Sequence, residues 1–207
     1  MTISMDNLNF HPLTPQRWDD FVTLFGPNGA YGGCWCMFWR ETRQEFSLNC
    51  RNQGADNREA LHTLVNSGVV PGILGYRQDT PLVWCSVAPR EDYVSLERSR
   101  NLKRLDAQPV WSIVCFYIAK SARNSGLMTV AIRAAVAYAG QNGARIVEAY
   151  PNDVHSRRSP GDLYMGNLSA FRKAGFGELE TRGAHKIVRL AIEISTNSVV
   201  SAGQPED

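Results

Sequence analysis

The spacing of hydrophobic residues predicts alternating strands and helices along the first third of the chain. A short strand is predicted at residues 9–13, after which Thr14 and Pro15 are residue types that favour a helix start. Apolar side chains then recur at positions 18, 21, 22 and 25, the spacing of one buried helical face, and Gly26 ends this helix. A second helix is predicted over residues 57–66.

The middle of the chain has the pattern of a sheet. Residues 71–76 and 82–87 are apolar runs that flank the polar turn 77–81, which predicts an antiparallel hairpin. Residues 109–118, with the sequence PVWSIVCFYI, are apolar at both alternating sets of positions. This pattern is typical of a central strand covered on both faces. The charged segment 89–108 is predicted to be an exposed excursion.

The pattern in the last third of the chain predicts a helix between two parallel strands, followed by a helix and two short strands that complete the sheet. The helix covers residues 126–141 and the strand that follows covers 144–150, so a right-handed crossover is the default. A helix at 167–174 precedes strands at 177–181 and 186–194. We expect one α/β (α+β) domain over residues 1–194 and a disordered polar tail over 195–207.

Composition narrows the class of protein. The chain of 207 residues is long enough for one substantial core. It contains 22 Lys and Arg residues and 20 Asp and Glu residues. Such a balance, without a long basic cluster, argues against a nucleic-acid partner. No apolar run is long enough to span a bilayer, and the first residues lack a signal-peptide pattern, so we expect a cytoplasmic protein without a membrane partner.

The five cysteines are odd in number and scattered, which favours reduced thiols over a disulfide framework. Cys34 and Cys36, with Cys50, could hold a metal ion. Their one-residue gap departs from the spacing common in zinc sites, however, and no histidine is near in sequence. We therefore expect no metal and interpret these cysteines as small buried hydrophobes.

A candidate anion site lies where the apolar strand 109–118 leads into the helix 126–141. The turn contains Arg123, Asn124, Ser125 and Gly126. Main-chain N–H groups at a helix start have no intrahelical partners and lie at the positive end of the helix dipole, so they can bind a diphosphate. The alternative is structural, because many strand-to-helix turns contain such residues.

This turn resembles the coenzyme loop of the GNAT superfamily of acetyl-CoA-dependent N-acetyltransferases, which reads (Arg/Gln)-x-x-Gly-x-(Gly/Ala). Arg123 and Gly126 match that motif, whereas Met128 stands at its last position. The segment from Phe171 to Phe176 is similar to the family's aromatic-x-x-x-Gly-Phe pattern. The resemblance implies a mixed sheet of about six or seven strands, flanked by about four helices, with splayed fourth and fifth strands.

By the same resemblance, acetyl-CoA is the acyl donor and binds between those two strands. The pantetheine arm is expected to contact the main chain of Phe116, Tyr117 and Ile118. The diphosphate is expected at the turn and helix start, formed by Arg123, Asn124, Ser125, Gly126, Leu127 and Met128.

The catalytic residues that the resemblance implies are matched only in part. Family members often carry a general-base Glu on the fourth strand, but residues 109–118 contain no carboxylate. Glu148 on the next strand is the nearest substitute. Its structural alternatives are pairing with an arginine or a place at the solvated end of the strand. Phe171 stands where the family's acid is commonly Tyr. Tyr164 and Tyr117 are then candidate acids, or residues with a packing role.

The aromatic loop 29–40 falls where family members line the acceptor site. Trp35, Phe38 and Trp39 could form a pocket for an apolar or cationic acceptor, or belong to the core. His155, Arg157 and Arg158 could guide an acidic group or the coenzyme's 3′-phosphate, or form a solvated loop.

The function that this implies is transfer of an acetyl group to an amine within a ternary complex. The alternative is a coenzyme-binding regulatory or sensor module that has lost catalysis, which is indicated by Met128, Phe171 and the missing carboxylate. The sequence leaves the acceptor, the acyl length and the oligomeric state open, and a homodimer is possible.

Overall fold

A computed structural model describes residues 8–152, 163–183 and 185–193, and its seven strands form one mixed sheet. The strands are β1 (Leu8–Pro12), β2 (Ile73–Arg77), β3 (Thr80–Pro89), β4 (Trp111–Ile118), β5 (Ile146–Ala149), β6 (Gly177–Arg182) and β7 (His185–Ala191). Their spatial order is β1-β2-β3-β4-β5-β7-β6, with β4 and β5 parallel and the other neighbours antiparallel. The predicted mixed sheet and the α/β class are confirmed.

The described residues contain six α-helices, two more than predicted. They are α1 (Trp18–Phe25), α2 (Arg43–Asn49), α3 (Ala55–Asn66), α4 (Val94–Glu97), α5 (Leu127–Gln141) and α6 (Leu168–Lys173). Helix α2 begins with a capping box, in which the Thr42 hydroxyl accepts from the Glu45 N–H at 3.3 Å and the Glu45 carboxylate accepts from the Thr42 N–H at 2.9 Å. The spacing of these two residues is a sequence signal for a helix start that the prediction missed. Among the described helices, none combines the length and the apolar character that crossing a membrane requires.

The two faces of the sheet are covered by different elements. Val83, Cys85 and Ile113 pack with residues of α5 and α6 in one apolar cluster. Trp84, which lies between Val83 and Cys85 on β3, packs with α1, α3 and the loop 29–40 in a second cluster. Successive strand side chains point to opposite faces, so the α5 side and the α1 side are the two faces of the sheet.

The segment 89–108 was predicted to be exposed, and this prediction was wrong. Arg90, Tyr93, Leu96 and Leu102 are all at most 2% exposed. The three apolar side chains pack in a third cluster with Trp39, Tyr150 and Ile187. Some charged residues of the segment pair with one another near the surface, as Arg104 does with Glu91 and Glu97. The high charge of the segment led to the prediction that it is exposed, although a few of its apolar residues are deeply buried.

Candidate functional site

Strands β4 and β5 pair over three residues and then separate. Their register pairs Trp111 with Val147, Ser112 with Glu148, and Ile113 with Ala149, while β4 continues to Ile118. At the same point the pairing of β3 with β4 shifts. Ser86 lies opposite Cys115 and Val87 opposite Ile113, which leaves Val114 as an extra residue. This β-bulge turns β4 at the place where its edge becomes open, a position where bulges often adjoin active sites.

The open edge of β4 presents the main chain of Phe116 and Ile118. The Ala119 N–H donates to the Leu82 oxygen of β3, and strand main-chain groups alternate in direction, so the groups of Phe116 and Ile118 point away from β3. The Phe116 N–H donates to the carbonyl oxygen of Tyr164 at 2.6 Å. By the same alternation, the main chain of Tyr117 faces β3, where it pairs with Trp84. The geometry favours Phe116 and Ile118 over Tyr117 for contacts along this edge.

The turn that follows β4 exposes main-chain donors at the start of α5. Asn124 and Gly126 have left-handed φ angles of 59° and 81°, and both residues are exposed. Within residues 8–152, 163–183 and 185–193, the N–H groups from Asn124 to Met128 have no acceptor. The Arg123 Nε donates to the Ile118 carbonyl oxygen at 3.1 Å and ties the turn to the end of β4. These features suit an anion at the N-terminus of a helix of 15 residues.

The two residues that depart from the family motifs have different surroundings. The Met128 sulfur lies 3.4 Å from the Asn167 amide nitrogen, so its side chain is directed toward the start of α6. Phe171 is fully buried, with its ring centroid 6.1 Å from that of Phe116 and 5.0 Å from that of Phe176. Phe171 thus has a packing role at this position.

Glu148 is the centre of a buried ionic network. Its side chain is 1% exposed and lies between two guanidinium groups. Arg90 donates to one carboxylate oxygen at 2.9 Å, and Arg189 donates to the other at 2.6 Å. The Tyr150 hydroxyl also donates to the first oxygen, at 2.5 Å, and accepts a hydrogen bond from Arg90. These contacts favour the pairing alternative for Glu148, because both carboxylate oxygens already have partners.

The two candidate acids lie in different surroundings. The Tyr117 ring packs against Phe25, with 5.3 Å between centroids, on the α1 side of the sheet. The Tyr164 ring packs edge-on against Phe38 at 6.2 Å. Burial raises the pKa of Tyr164 to about 12, with further contributions from Cys115 and Cys34. Tyr164 therefore keeps its proton near neutral pH and is available as a hydrogen-bond donor.

The aromatic loop divides its side chains between two places. Phe38 and Trp39 belong to the third cluster, together with Tyr164 and the bulge residue Val114. The Trp39 indole N–H is buried and has no hydrogen-bond partner in the described part of the chain. A buried donor is rarely left unpaired, so this N–H is able to donate to a further acceptor atom.

Trp35 instead packs in the second cluster, stacked on Phe25 with 5.9 Å between centroids. It also lines a separate open cleft of about 610 Å³ between the end of α1 and the start of α3. The Arg58 guanidinium lies over the Trp35 ring at 5.5 Å from the centroid, on the same cleft. The structure thus separates Trp35 from Phe38 and Trp39, which the sequence had grouped as one pocket.

The other residues that the sequence singled out are a basic group and the five cysteines. His155, Arg157 and Arg158 lie outside the described residues. All five cysteines are free thiols. Among the described residues, no group of three or more His, Cys, Asp or Glu side chains is arranged to hold a metal ion.

Comparison with known proteins identifies the family. The model described as "Acetyltransferase (GNAT) family" matches residues 31–158, more than half of the chain. The chain belongs to the GNAT acetyltransferase family. The predicted resemblance is therefore confirmed. No curated protein matches this GNAT chain in sequence.

Several solved structures share the fold of this GNAT protein at low identity. A GNAT-family acetyltransferase from Streptococcus agalactiae has 11% identity and a TM-score of 0.54, with 92% of this chain and 99% of that chain covered. An uncharacterised protein from Bacillus halodurans has 14% identity and a TM-score of 0.52, with 89% and 83% covered. The PaiA N-acetyltransferase of Thermoplasma acidophilum, solved in complex with coenzyme A, has 10% identity and a TM-score of 0.49, with 90% and 99% covered. At such low identity, the first two structures show the fold alone.

Proposed function

We propose that this GNAT protein is an acetyl-CoA-dependent N-acetyltransferase that transfers an acetyl group directly to an amine in a ternary complex. The observation that carries the proposal is that two sets of main-chain donors lie at the two ends of one short segment. The open edge of β4 begins after the Val114 bulge, and the turn 123–128 follows immediately. An extended amide-bearing arm that ends in a diphosphate fits this arrangement.

The pantetheine arm and then the diphosphate of the coenzyme would bind along this segment in chain order. The pantetheine arm would lie along the edge at Phe116 and Ile118, and its amide would replace the Tyr164 carbonyl oxygen as partner of the Phe116 N–H. The diphosphate would accept hydrogen bonds from the N–H groups at the turn, with Arg123 beside it. The thioester would then lie near the bulge.

The reaction requires a neutral amine to attack the thioester carbonyl and a donor to stabilise the departing thiolate. Tyr164 is the proposed donor, because its hydroxyl stays protonated and its ring lies in the cluster that contains Val114. Tyr117 is the alternative. The amine would lose its proton to water. Glu148 could take that proton only by releasing an arginine partner, so the structural role is the better supported one.

The acceptor is proposed to approach on the side of the sheet that carries Phe38, Trp39 and Tyr164. The unpaired Trp39 indole N–H would donate to a polar atom of the acceptor, and the rings of Phe38 and Tyr164 would contact its apolar part. Trp35 and Arg58 line the separate cleft. As a second part of this proposal, that cleft contributes to acceptor binding.

One set of observations favours a second function, a coenzyme-binding module without catalysis. Phe171 has no hydroxyl, and both carboxylate oxygens of Glu148 are paired with arginines. Positioning alone can still accelerate attack by a nucleophilic amine, so these features do not require loss of activity.

Thiol release from acetyl-CoA, measured across a panel of small amines and peptide N-termini, distinguishes the two functions. Protein without acetyl-CoA corrects for its own cysteines. Amine-dependent release with a matching acetylated product would support the transferase. Binding of acetyl-CoA without release above the hydrolysis rate for any amine would support the binding module instead.

A further inference from the structure

The open cleft between the end of α1 and the start of α3 has a single charged side chain in its walls. Among the described residues that line this cleft, that side chain is Arg58. The Arg58 guanidinium has neither a hydrogen bond nor an ion pair within the described part of the chain, whereas Arg90 and Arg189 are both paired with Glu148. The cleft therefore carries a positive charge that no carboxylate among its described lining residues balances.

Trp35 forms the floor of the cleft and holds Arg58 in position. Trp35 is 4% exposed, and the Arg58 guanidinium lies 5.5 Å from the centroid of its ring. An arginine held over an aromatic ring loses less freedom on binding a ligand, and its N–H groups remain able to bind an oxyanion through two hydrogen bonds. The charge of Arg58 is thus preorganised at the cleft.

The walls of the cleft have a strained and closely packed backbone. Trp35 and Gln53 both line it and both have left-handed φ angles, 40° and 53°, although neither is glycine. Such residues cost conformational free energy and persist only where the surrounding structure holds them. Here the buried Asn57 amide donates to the Gly33 carbonyl oxygen at 2.8 Å, and a Cβ added to Gly33 would lie 2.7 Å from the backbone of Gly54. These contacts lock the aromatic loop to the start of α3 and fix the floor of the cleft.

We propose that this cleft binds the carboxylate of an acceptor whose reactive amine lies at the opposite end of the molecule, with Arg58 as the ionic partner. The amine end of this inference rests on the proposed acetyl transfer, whereas the carboxylate end rests on the cleft alone. One guanidinium balances the single charge of a carboxylate and matches its planar shape, while a phosphate dianion would keep an uncompensated charge. The side chains of Asn52 and Gln53 would supply neutral hydrogen bonds, and those of Val22 and Pro27 would contact the apolar part of the acceptor.

Ring contacts connect the cleft with the strand along which the coenzyme is proposed to bind. Trp35 is stacked on Phe25 at 5.9 Å, and the Phe25 ring lies 5.3 Å from that of Tyr117 on β4. Two ring contacts thus separate the cleft from a residue that is next to Phe116 on this strand. An acceptor that used the cleft and the transfer site together would be an extended molecule with its amine and carboxylate well apart, such as an ω-amino acid.

The first test is an NMR titration of the full chain with the Trp35 indole N–H as the reporter. Hexanoate is the probe, and hexanamide is the neutral control of the same length. We expect hexanoate to shift the Trp35 indole resonance along a saturable curve and hexanamide to shift it far less, while the Trp84 indole, which donates to the Cys36 sulfur in the core, stays constant. Arg58→Gln should abolish the response to hexanoate. Arg145→Gln, which removes an exposed arginine just before β5, should keep it.

The second test compares acceptors in the thiol-release assay. A series of ω-amino acids of increasing chain length is measured against n-alkylamines of the same length. We expect the best ω-amino acid to have a kcat/KM about tenfold above that of its matched alkylamine, the scale of one charge-assisted contact. Arg58→Gln should remove this preference, and Arg145→Gln should retain it.

The two tests fail separately. Equal shifts with hexanoate and hexanamide, or no shift with either, overturn the carboxylate site even if amines are acetylated. Acetylation of amines without a preference for ω-amino acids overturns the assignment of the site to the acceptor. If hexanoate binds through Arg58 and no amine causes thiol release, the carboxylate site stands and the proposed acetyl transfer fails.

Discussion

The main-chain N–H of Phe116, on the open edge of β4, donates a hydrogen bond of 2.6 Å to the carbonyl oxygen of Tyr164. The pantetheine arm of a coenzyme that binds along this edge needs the same donor. In the proposed binding mode, coenzyme binding and the contact between these two residues would compete.

This competition predicts a local response to coenzyme A. In amide NMR spectra of labelled protein, saturating coenzyme should shift the Phe116 and Met165 resonances. The Phe116 N–H changes its partner, and the Tyr164 carbonyl, which shares a peptide unit with the Met165 N–H, loses its partner. The amide of Tyr76, which lies on β2, is the internal control and should shift little. If coenzyme A binds and the Phe116 amide does not respond, the arm does not lie along this edge.

Replacement of Arg123 should weaken coenzyme binding through the diphosphate. We expect Arg123→Ala to raise the dissociation constant for coenzyme A by roughly tenfold, the usual scale of one charge-assisted contact. Binding of pantetheine, which lacks the diphosphate, should be nearly unchanged in the same calorimetric assay. Arg133→Ala, on the exposed side of α5, is the matched control. An equal loss of affinity for coenzyme A and for pantetheine would mean that Arg123 acts by holding the end of β4 through Ile118.

Glu148→Gln should affect stability more than chemistry. The substitution leaves Arg90 and Arg189 without their buried carboxylate, and breaking such a pair costs about 3–5 kcal/mol of unfolding free energy. Urea unfolding measures this loss. Asp106→Asn, which removes the exposed partner of Arg189, should cost far less.

The same variant tests the two roles of Glu148 against each other. Transfer per folded molecule should stay near normal if Glu148 is structural. A fall of about a hundredfold with unchanged stability would show that it is the general base.

Trp39→Phe should separate acceptor binding from folding. The change removes a buried N–H that has no partner among the described residues, which offsets the loss of ring volume, so stability should stay within about 1 kcal/mol of the wild type. The KM for a good amine acceptor should rise severalfold. Trp84→Phe is the contrast, because its N–H bonds to Cys36 and its loss should destabilise the fold. An unchanged KM in Trp39→Phe would assign Trp39 to the core.

Local patterns predicted the elements around the coenzyme segment well. The predicted strand 109–118, helix 126–141 and strand 144–150 correspond to β4, α5 and β5. The two strands are nearly continuous apolar runs and the helix has an apolar face, all with clear boundaries, which is why the sequence sufficed. Helix α2 was missed although Thr42 and Glu45 carry the signature of a capping box, because the helix is short and contains few apolar residues.

The contacts that define the site could not be predicted from periodicity. Glu148 meets Arg90 and Arg189, which lie 58 and 41 residues away along the chain. Cys36 accepts a hydrogen bond from Trp84, 48 residues away, in a loop that takes left-handed angles at Trp35 and Cys36, which no hydrophobic pattern encodes. Long-range pairing and strained loops depend on the assembled fold.

Isothermal titration calorimetry with acetyl-CoA tests the central claim most directly. We predict a saturable heat with a stoichiometry of one coenzyme per chain, and a weaker interaction in Arg123→Ala. Since a ligand that binds only the folded state stabilises it, the thermal midpoint of the same sample should rise as well. Absence of binding heat at millimolar acetyl-CoA, with an unchanged midpoint, would contradict the account.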